Sequence, residues 1–199
     1  MSDKLISTLS LDEMLEDVKT CRLCEAHLPH GPRPVVYMAS TAKVLIIGQA
    51  PGRRVHETGI PWNDPSGDRL RQWLNVSREE FYDKSKIAIM PMGFCYPGTG
   101  KSGDFPPRKE CAPQWHQNLL NHLPQIELTL LIGQYAQQYY LNDKRLSLTD
   151  RVKQWNDYLP HYLPLPHPSP RNQLWLKKNS WFSEEVVPEL QRLSHLLLN

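Results

Sequence analysis

The sequence predicts an α/β fold of three layers, α/β/α, in which a central, mainly parallel sheet of about four strands lies between helices. Three observations carry this reading. Four short apolar runs, Val44–Ile47, Ile87–Met92, Leu128–Ile132 and Tyr162–Leu165, read as strands, the first of the kind buried on both faces. Segments with helical spacing of apolar residues separate them, so strand and helix alternate as in βαβ units with right-handed crossovers. No internal repeat, low-complexity tract or linker interrupts the 199 residues, so residues 1–199 are expected to form one domain.

The elements follow in order. Thr8–Thr20 reads as a helix with Ser10 as N-cap and Leu11, Met14, Leu15 and Val18 on one face. Cys21-Arg22-Leu23-Cys24 follows, then a loop to Ser40. The strand Val44–Ile47 runs into Gly48-Gln49-Ala50-Pro51-Gly52, where two glycines and a proline fold a tight loop. A polar stretch with Arg53, Arg54, His56 and the large aromatic Trp62 precedes the next helix. That helix is expected to start at Ser66 as N-cap, with Asp68 in its first turn and Leu70, Trp73 and Leu74 facing the core. About seventeen residues thus separate strand from helix, against the usual 2–6 for such connections. In an open α/β sheet this carboxyl edge is where ligands bind, so the stretch is the first candidate site.

Ser77–Tyr82 reads as a short helix before the second strand. Gly93–Pro107 is a Gly- and Pro-rich loop that carries Cys95, Lys101 and Asp104. A helix is expected from Arg108 to about Asn121, with Cys111 in its first turn, and another over Tyr135–Leu141 after the third strand. The fourth strand ends at Pro166-His167-Pro168-Ser169-Pro170-Arg171-Asn172, and a last helix covers about Ser183–Leu198. Trp115, Trp155 and Trp175 are read as structural.

Composition narrows the class. Hydrophobic residues make up 40% and charged residues 22%, and no window has the length of apolar sequence that spans a bilayer. The first twenty residues are partly acidic and lack a continuous apolar core, unlike a signal peptide, so a cytoplasmic protein with no membrane partner is expected, and a monomer. The formal net charge is only +2, so any nucleic-acid partner must be met by local clusters of Lys and Arg.

Cys21, Cys24, Cys95 and Cys111 are the four cysteines. A disulfide framework does not suit a cytosolic chain. Four thiolates beside Gly- and Pro-rich turns suit either tetrahedral zinc or an iron–sulfur cluster, and their spacing does not choose between the two.

Taken together, the Cys-x-x-Cys pair, the strand into GQAPG, the phrase Thr58-Gly59-Ile60-Pro61-Trp62, two cysteines sixteen residues apart and the terminal HPSPRN motif resemble the iron–sulfur uracil-DNA glycosylases, within the uracil-DNA glycosylase superfamily. The resemblance implies a [4Fe–4S] cluster on Cys21, Cys24, Cys95 and Cys111, with zinc as the second candidate. It also implies excision of a flipped uracil or related deaminated base from DNA, as in base excision repair. By position, Gly48, Ala50, Pro51 and Gly52 would line the base pocket and Trp62 would stack on the base. His167 would donate to the leaving base, while Ser169, Pro170 and Arg171 press on the DNA. Gln49, Asp64 and His56 are candidates for placing water, with His56 alternatively a nucleophile toward the abasic sugar. Arg53, Arg54, Lys101, Arg108 and Arg171 are candidate phosphate contacts.

Two departures stand out. The archetypal uracil enzymes have Asp after the Gln, where this chain has Ala50. Many relatives read uracil with an Asn at the end of the second strand, whereas Met90-Pro91-Met92-Gly93 offers no amide side chain. They leave open a different base, such as hypoxanthine, or a catalytically weak module that binds DNA or a nucleotide.

Overall fold

The computed structural model describes residues 9–101, 103–141 and 145–199. All four anticipated strands form, β1 (Val44–Ile47), β2 (Ile87–Ile89), β5 (Leu128–Ile132) and β6 (Tyr162–Leu165), in one wholly parallel sheet of order β2-β1-β5-β6. Register is set by pairs such as Val44 with Ile87 and with Leu128, and Leu130 with Leu163. Side chains alternate across the sheet, so each strand feeds two cores. Val44, Ile46, Ile87, Ile89 and Leu130 face one, with Leu70, Phe81, Phe182 and Leu190; Leu45, Ile47, Ala88 and Leu131 face the other, with Met14, Val18, Trp115 and Leu119. That is the three-layer α/β/α arrangement.

The helices are α1 (Leu11–Thr20), α2 (Arg53–Thr58), α3 (Pro65–Leu74), α4 (Arg78–Phe81), α5 (Cys111–Leu120), α6 (Gln134–Tyr140), α7 (Leu148–Lys153), α8 (Gln173–Lys178) and α9 (Val187–Leu198). A two-stranded antiparallel ribbon, β3 (Thr99–Gly100) and β4 (Gly103–Asp104), lies apart from the main sheet. Ser10 caps α1 through a capping box with Glu13, as expected; Thr8, where the sequence placed the helix start, lies outside the described residues. The expected N-cap of α3 is corrected: Asp64, not Ser66, accepts the Gly67 N–H at 2.8 Å, and Pro65 occupies the first turn. Ser66 is instead buried inside the helix. Helix α2 and the ribbon fall in stretches read as loop. Both are short, and only Val55 of α2 is buried, so neither leaves an apolar period in the sequence.

Both sheet edges are managed. Tyr37 exchanges backbone hydrogen bonds of 2.9 and 2.6 Å with Ile89 and covers β2. At the other edge, Pro164 is tolerated in β6 because that strand has one partner. From β1 the chain goes to β2 on one side, then returns past β1 to β5 and β6 on the other. The connections therefore diverge above β1 and β5, and a crevice opens there.

Candidate active site

A cavity of about 220 Å³ fills that crevice. Its floor is the loop Gly48–Gly52 after β1. This loop is tied to the segment after β2, since Met92 donates to the Gly48 carbonyl at 2.8 Å and Gly93 to that of Gln49 at 3.0 Å. Trp62, Asp64, Asp104, His167, Ser169 and Arg171 complete the wall, so, with the loop, residues from four separate stretches of sequence meet in one place.

Trp62 stands on the Gly48 floor. A Cβ at position 48 would fall 2.9 Å from its ring, so only glycine leaves the indole this room. Its backbone is left-handed, φ 55°, a conformation that disfavours a bulky side chain. Three donors hold the turn. Tyr82 Oη donates to the Pro61 carbonyl at 2.7 Å, Arg78 to Asn63 Oδ1 at 3.0 Å, and Arg71 to the Trp62 carbonyl at 3.4 Å. Arg71 is itself buried, paired with Asp68 at 2.6 Å and set over the Phe81 ring. A Cβ at Gly67 would lie 1.8 Å from the Trp62 carbonyl oxygen, so α3 approaches the turn through a glycine.

His167 faces Trp62 with ring centroids 5.6 Å apart. Its loop is stitched by Asn172, whose amide donates to the His167 carbonyl at 2.8 Å, and by Arg69, which donates to the Ser169 carbonyl at 3.0 Å. Burial holds the imidazole below the ordinary histidine range, with Asp64 and Asp104 pulling it partly back. At neutral pH the ring is therefore uncharged and can donate from one nitrogen.

Of the other expected residues, Gln49, Ala50, Pro51 and Gly52 line the cavity, and the Gln49 amide donates to the Phe105 carbonyl at 3.0 Å. Asp64 lines it too, with Oδ1 engaged as the α3 cap. Arg171 reaches across the mouth toward the ribbon, where a Cβ on Gly103 would meet its guanidinium at 2.9 Å. Arg53 and Arg54 lie on the exposed side of α2 outside the cavity, Arg53 with Glu57 at 3.0 Å. Three expectations are redirected. The His56 ring is not part of the cavity wall; it packs against His30 and Tyr96, at 6.0 and 5.8 Å between centroids. Arg108 pairs with Glu110 at 2.6 Å beside the cysteines, and Lys101 lies exposed on the ribbon turn. The residue that sequence reading left unassigned is Asp104, brought to the cavity by the ribbon. Its trace in the sequence is the glycine-rich run Thr99–Asp104, whose two-residue strands are too short for alternation to show.

On the far side of the loop, Cys21, Cys24, Cys95 and Cys111 line a second, small apolar cavity with Leu28, Phe94 and Trp115. Cys111 Sγ accepts the Phe94 N–H at 3.3 Å. Burial pushes the Cys95 thiol up to about 11 and that of Cys111 up to about 12, so these sulfurs are neutral unless a cation draws off their protons. Among the described residues no three of His, Cys, Asp and Glu are grouped as a ready metal-ion site.

A wholly parallel four-stranded sheet between helices, with a crevice at its switch point walled by an aromatic ring and a buried histidine, places the chain among the three-layer α/β/α folds. The family model described as the uracil DNA glycosylase superfamily matches residues 35–191, and the chain belongs to that superfamily. It is similar to the Type-4 uracil-DNA glycosylase of Archaeoglobus fulgidus, 24% identical over 151 residues, which cover 72% of this chain and 71% of the relative. A structural likeness to wild-type Pedobacter heparinus SMUG2 covers 78% of this chain and 77% of that one, at 14% identity and a TM-score of 0.43. Among the described residues no helix is long and apolar enough to cross a membrane.

Proposed function

We propose that this chain is a DNA glycosylase that hydrolyses the N-glycosidic bond of a flipped uracil, or a related deaminated base, as the first step of base excision repair. The observation that carries the reading is the pairing of Trp62 and His167 across one cavity, 5.6 Å apart, at the switch point of the sheet. Breaking the bond places negative charge on the leaving base. The uncharged His167 ring donates to the base oxygen where that charge gathers. Trp62 stacks on the extruded base and offsets part of the few kcal/mol that unstacking costs. Backbone groups of Gly48–Gly52 line the pocket floor, and Gln49 and Asp64 stand where they can help to place water. Arg171 and Ser169 at the mouth, with Arg53 and Arg54 on α2, contact phosphates.

By donor chemistry the four cysteines suit a shared inorganic group, since all four line one apolar cavity, although as placed no three of them are grouped as a ready metal-ion site. On this reading they hold a [4Fe–4S] cluster, with zinc as the second candidate. The group would supply covalent bracing between the Cys21–Cys24 turn, the Cys95 loop and α5, while the excision chemistry stays with the first cavity. The protein would act as a single-domain monomer in the cytoplasm.

A second reading, the same chemistry on another base such as hypoxanthine, is favoured by one observation. The wall at the end of β2 is Ile89 and Pro91, with no amide side chain to read a uracil edge. Single-turnover excision from labelled oligonucleotides carrying uracil, hypoxanthine or a mismatched base tests both. Alkali-labile sites are expected with the wild-type protein, and a loss of about 100-fold or more in His167→Ala. DNA binding without excision of any base would instead favour a binding module.

A further inference from the structure

We propose that the groove between residues 106–109 and α6 is a track for single-stranded DNA, which holds the unpaired nucleotides next to the flipped one. The inference rests on the glycosylase reading above and adds to it the form of DNA that the protein prefers, single strand over duplex. The groove has a volume of about 410 Å³ and opens beside the base cavity, with Met92 and Ala112 buried at its base.

Groove and cavity adjoin at three points. Pro91 lines the cavity and Met92 the groove; Asp104 lines the cavity and Pro106 the groove. A Cβ on Gly133, the residue before α6, would lie 4.0 Å from the His167 Cβ, so α6 starts beside the histidine. Tyr135, Gln138 and Tyr139 share one face of α6 by their spacing, and all three line the groove. From Gly133 to Tyr139 the helix covers about 9 Å. A strand that leaves the cavity past His167 therefore meets the groove with its next nucleotides.

The lining suits unpaired nucleotides. Tyr139 is 47% exposed. Its ring neighbours Tyr140 and His116, 5.1 and 6.0 Å away between centroids, are tilted 64° and 65° to it, so neither lies flat on its face. Phe105, between Asp104 and Pro106, is 49% exposed, and its ring rests on the ribbon, where a Cβ on Gly100 would fall 2.9 Å from it. Two exposed rings thus flank the path. Any base can stack on such a ring once it is unpaired, whereas in a duplex the base faces are already covered by neighbouring pairs. No carboxylate lines the groove. Its charged residues are Arg108, engaged by Glu110 at 2.6 Å, and the exposed Lys109, which is left to meet a phosphate. A cation beside open ring faces is the combination that binds single strands with little regard to sequence.

The test is binding of a labelled oligonucleotide that carries a reduced abasic analogue, as a single strand and as a duplex, followed by fluorescence anisotropy. The full protein is compared with Tyr139→Ala, Tyr139→Phe and Lys109→Ala. The wild type is expected to bind the single strand more tightly. Tyr139→Ala should lose roughly 10-fold on the single strand and clearly less on the duplex, while Tyr139→Phe, which keeps the ring, should stay within about 2-fold of wild type on both. Lys109→Ala should lower the single-strand salt slope by about 0.7. A wild type that prefers the duplex overturns the inference. So does a Tyr139→Ala loss that is absent, equal on both forms or matched by Tyr139→Phe, and so does an unchanged slope in Lys109→Ala. Excision from a uracil-bearing oligonucleotide, assayed in parallel, separates the two readings. An active wild type whose single-strand binding ignores Tyr139 overturns the track and leaves the glycosylase reading standing. A wild type inert on every base, with single-strand binding that depends on Tyr139, overturns the glycosylase reading and keeps the track.

Discussion

Trp62 adopts a backbone conformation that costs a side-chain-bearing residue about 1–2 kcal/mol, and its surroundings hold it there. The cost is offset by donors to three successive residues, Pro61, Trp62 and Asn63, and by two glycines that make room. Gly67→Ala would drive a Cβ to within 1.8 Å of the Trp62 carbonyl oxygen, a backbone atom with nowhere to retreat. The expected outcome is a destabilisation of about 1–3 kcal/mol, read by urea unfolding, with excision falling further than DNA affinity. The aromatic at position 62 is legible from sequence as part of a site. Its frame is not, because Arg71 reaches it from two turns into the next helix and Tyr82 from another element.

His116 is buried and stacked on Phe94; it donates from Nε2 to the Pro91 carbonyl at 3.1 Å and accepts from the Tyr140 hydroxyl at 2.6 Å. Burial lowers its pKa to about 4. The unfolded chain takes up this proton below about 6.5 and the folded one only below about 4, so stability falls as pH drops through that window. The loss is on the order of 3 kcal/mol. Unfolding midpoints at about pH 7 and pH 4.5 should differ clearly more for the wild type than for His116→Gln; equal differences would sink the idea.

At the scale of elements, the site is built from loops that stable elements hold at fixed spacing. The segment after β6 carries His167 and is tied down by Asn172 and Arg69, while the ribbon carries Asp104 and is tied down by Tyr96. On the other side the cysteines bring the turn after α1, the loop after β2 and the start of α5 to one cavity, where the proposed metal group would join them. Anaerobically purified protein is therefore expected to be brown and to contain iron. Cys111→Ser should bleach the visible absorbance and lower the melting temperature. Colourless protein with one zinc per chain would identify the other metal and leave the first cavity untouched.

At the scale of the whole molecule, the strand order decides where the ligand goes. Because β2 and β5 lie on opposite sides of β1, the connections part above the sheet and leave the crevice that the site occupies. The rim carries Arg171, and α2 presents Arg53 and Arg54 to solvent; with a net charge of only +2, the proposed DNA contact rests on such local basic groups. Replacing Arg53 and Arg54 by alanine should weaken DNA binding similarly on every sequence and lower the salt slope by about one for each phosphate no longer engaged. An unchanged slope would place the DNA elsewhere.

By itself the amino-acid sequence determined the alternating α/β architecture and the places of its four main strands, because buried parallel strands need apolar runs; the second strand, expected to Met92, ends at Ile89, and the short ribbon left no such run. It also determined which loops carry the unusual chemistry, since GQAPG, the tryptophan and HPSPRN are local patterns. Tertiary structure alone decided which of those residues meet. It turned His56 and Arg108 away from the cavity, made Asp64 a helix cap and brought Asp104 to the rim. The reason is physical: secondary structure follows from interactions a few residues apart, whereas a site assembled from four stretches depends on strand order and on side-chain hydrogen bonds that span the chain.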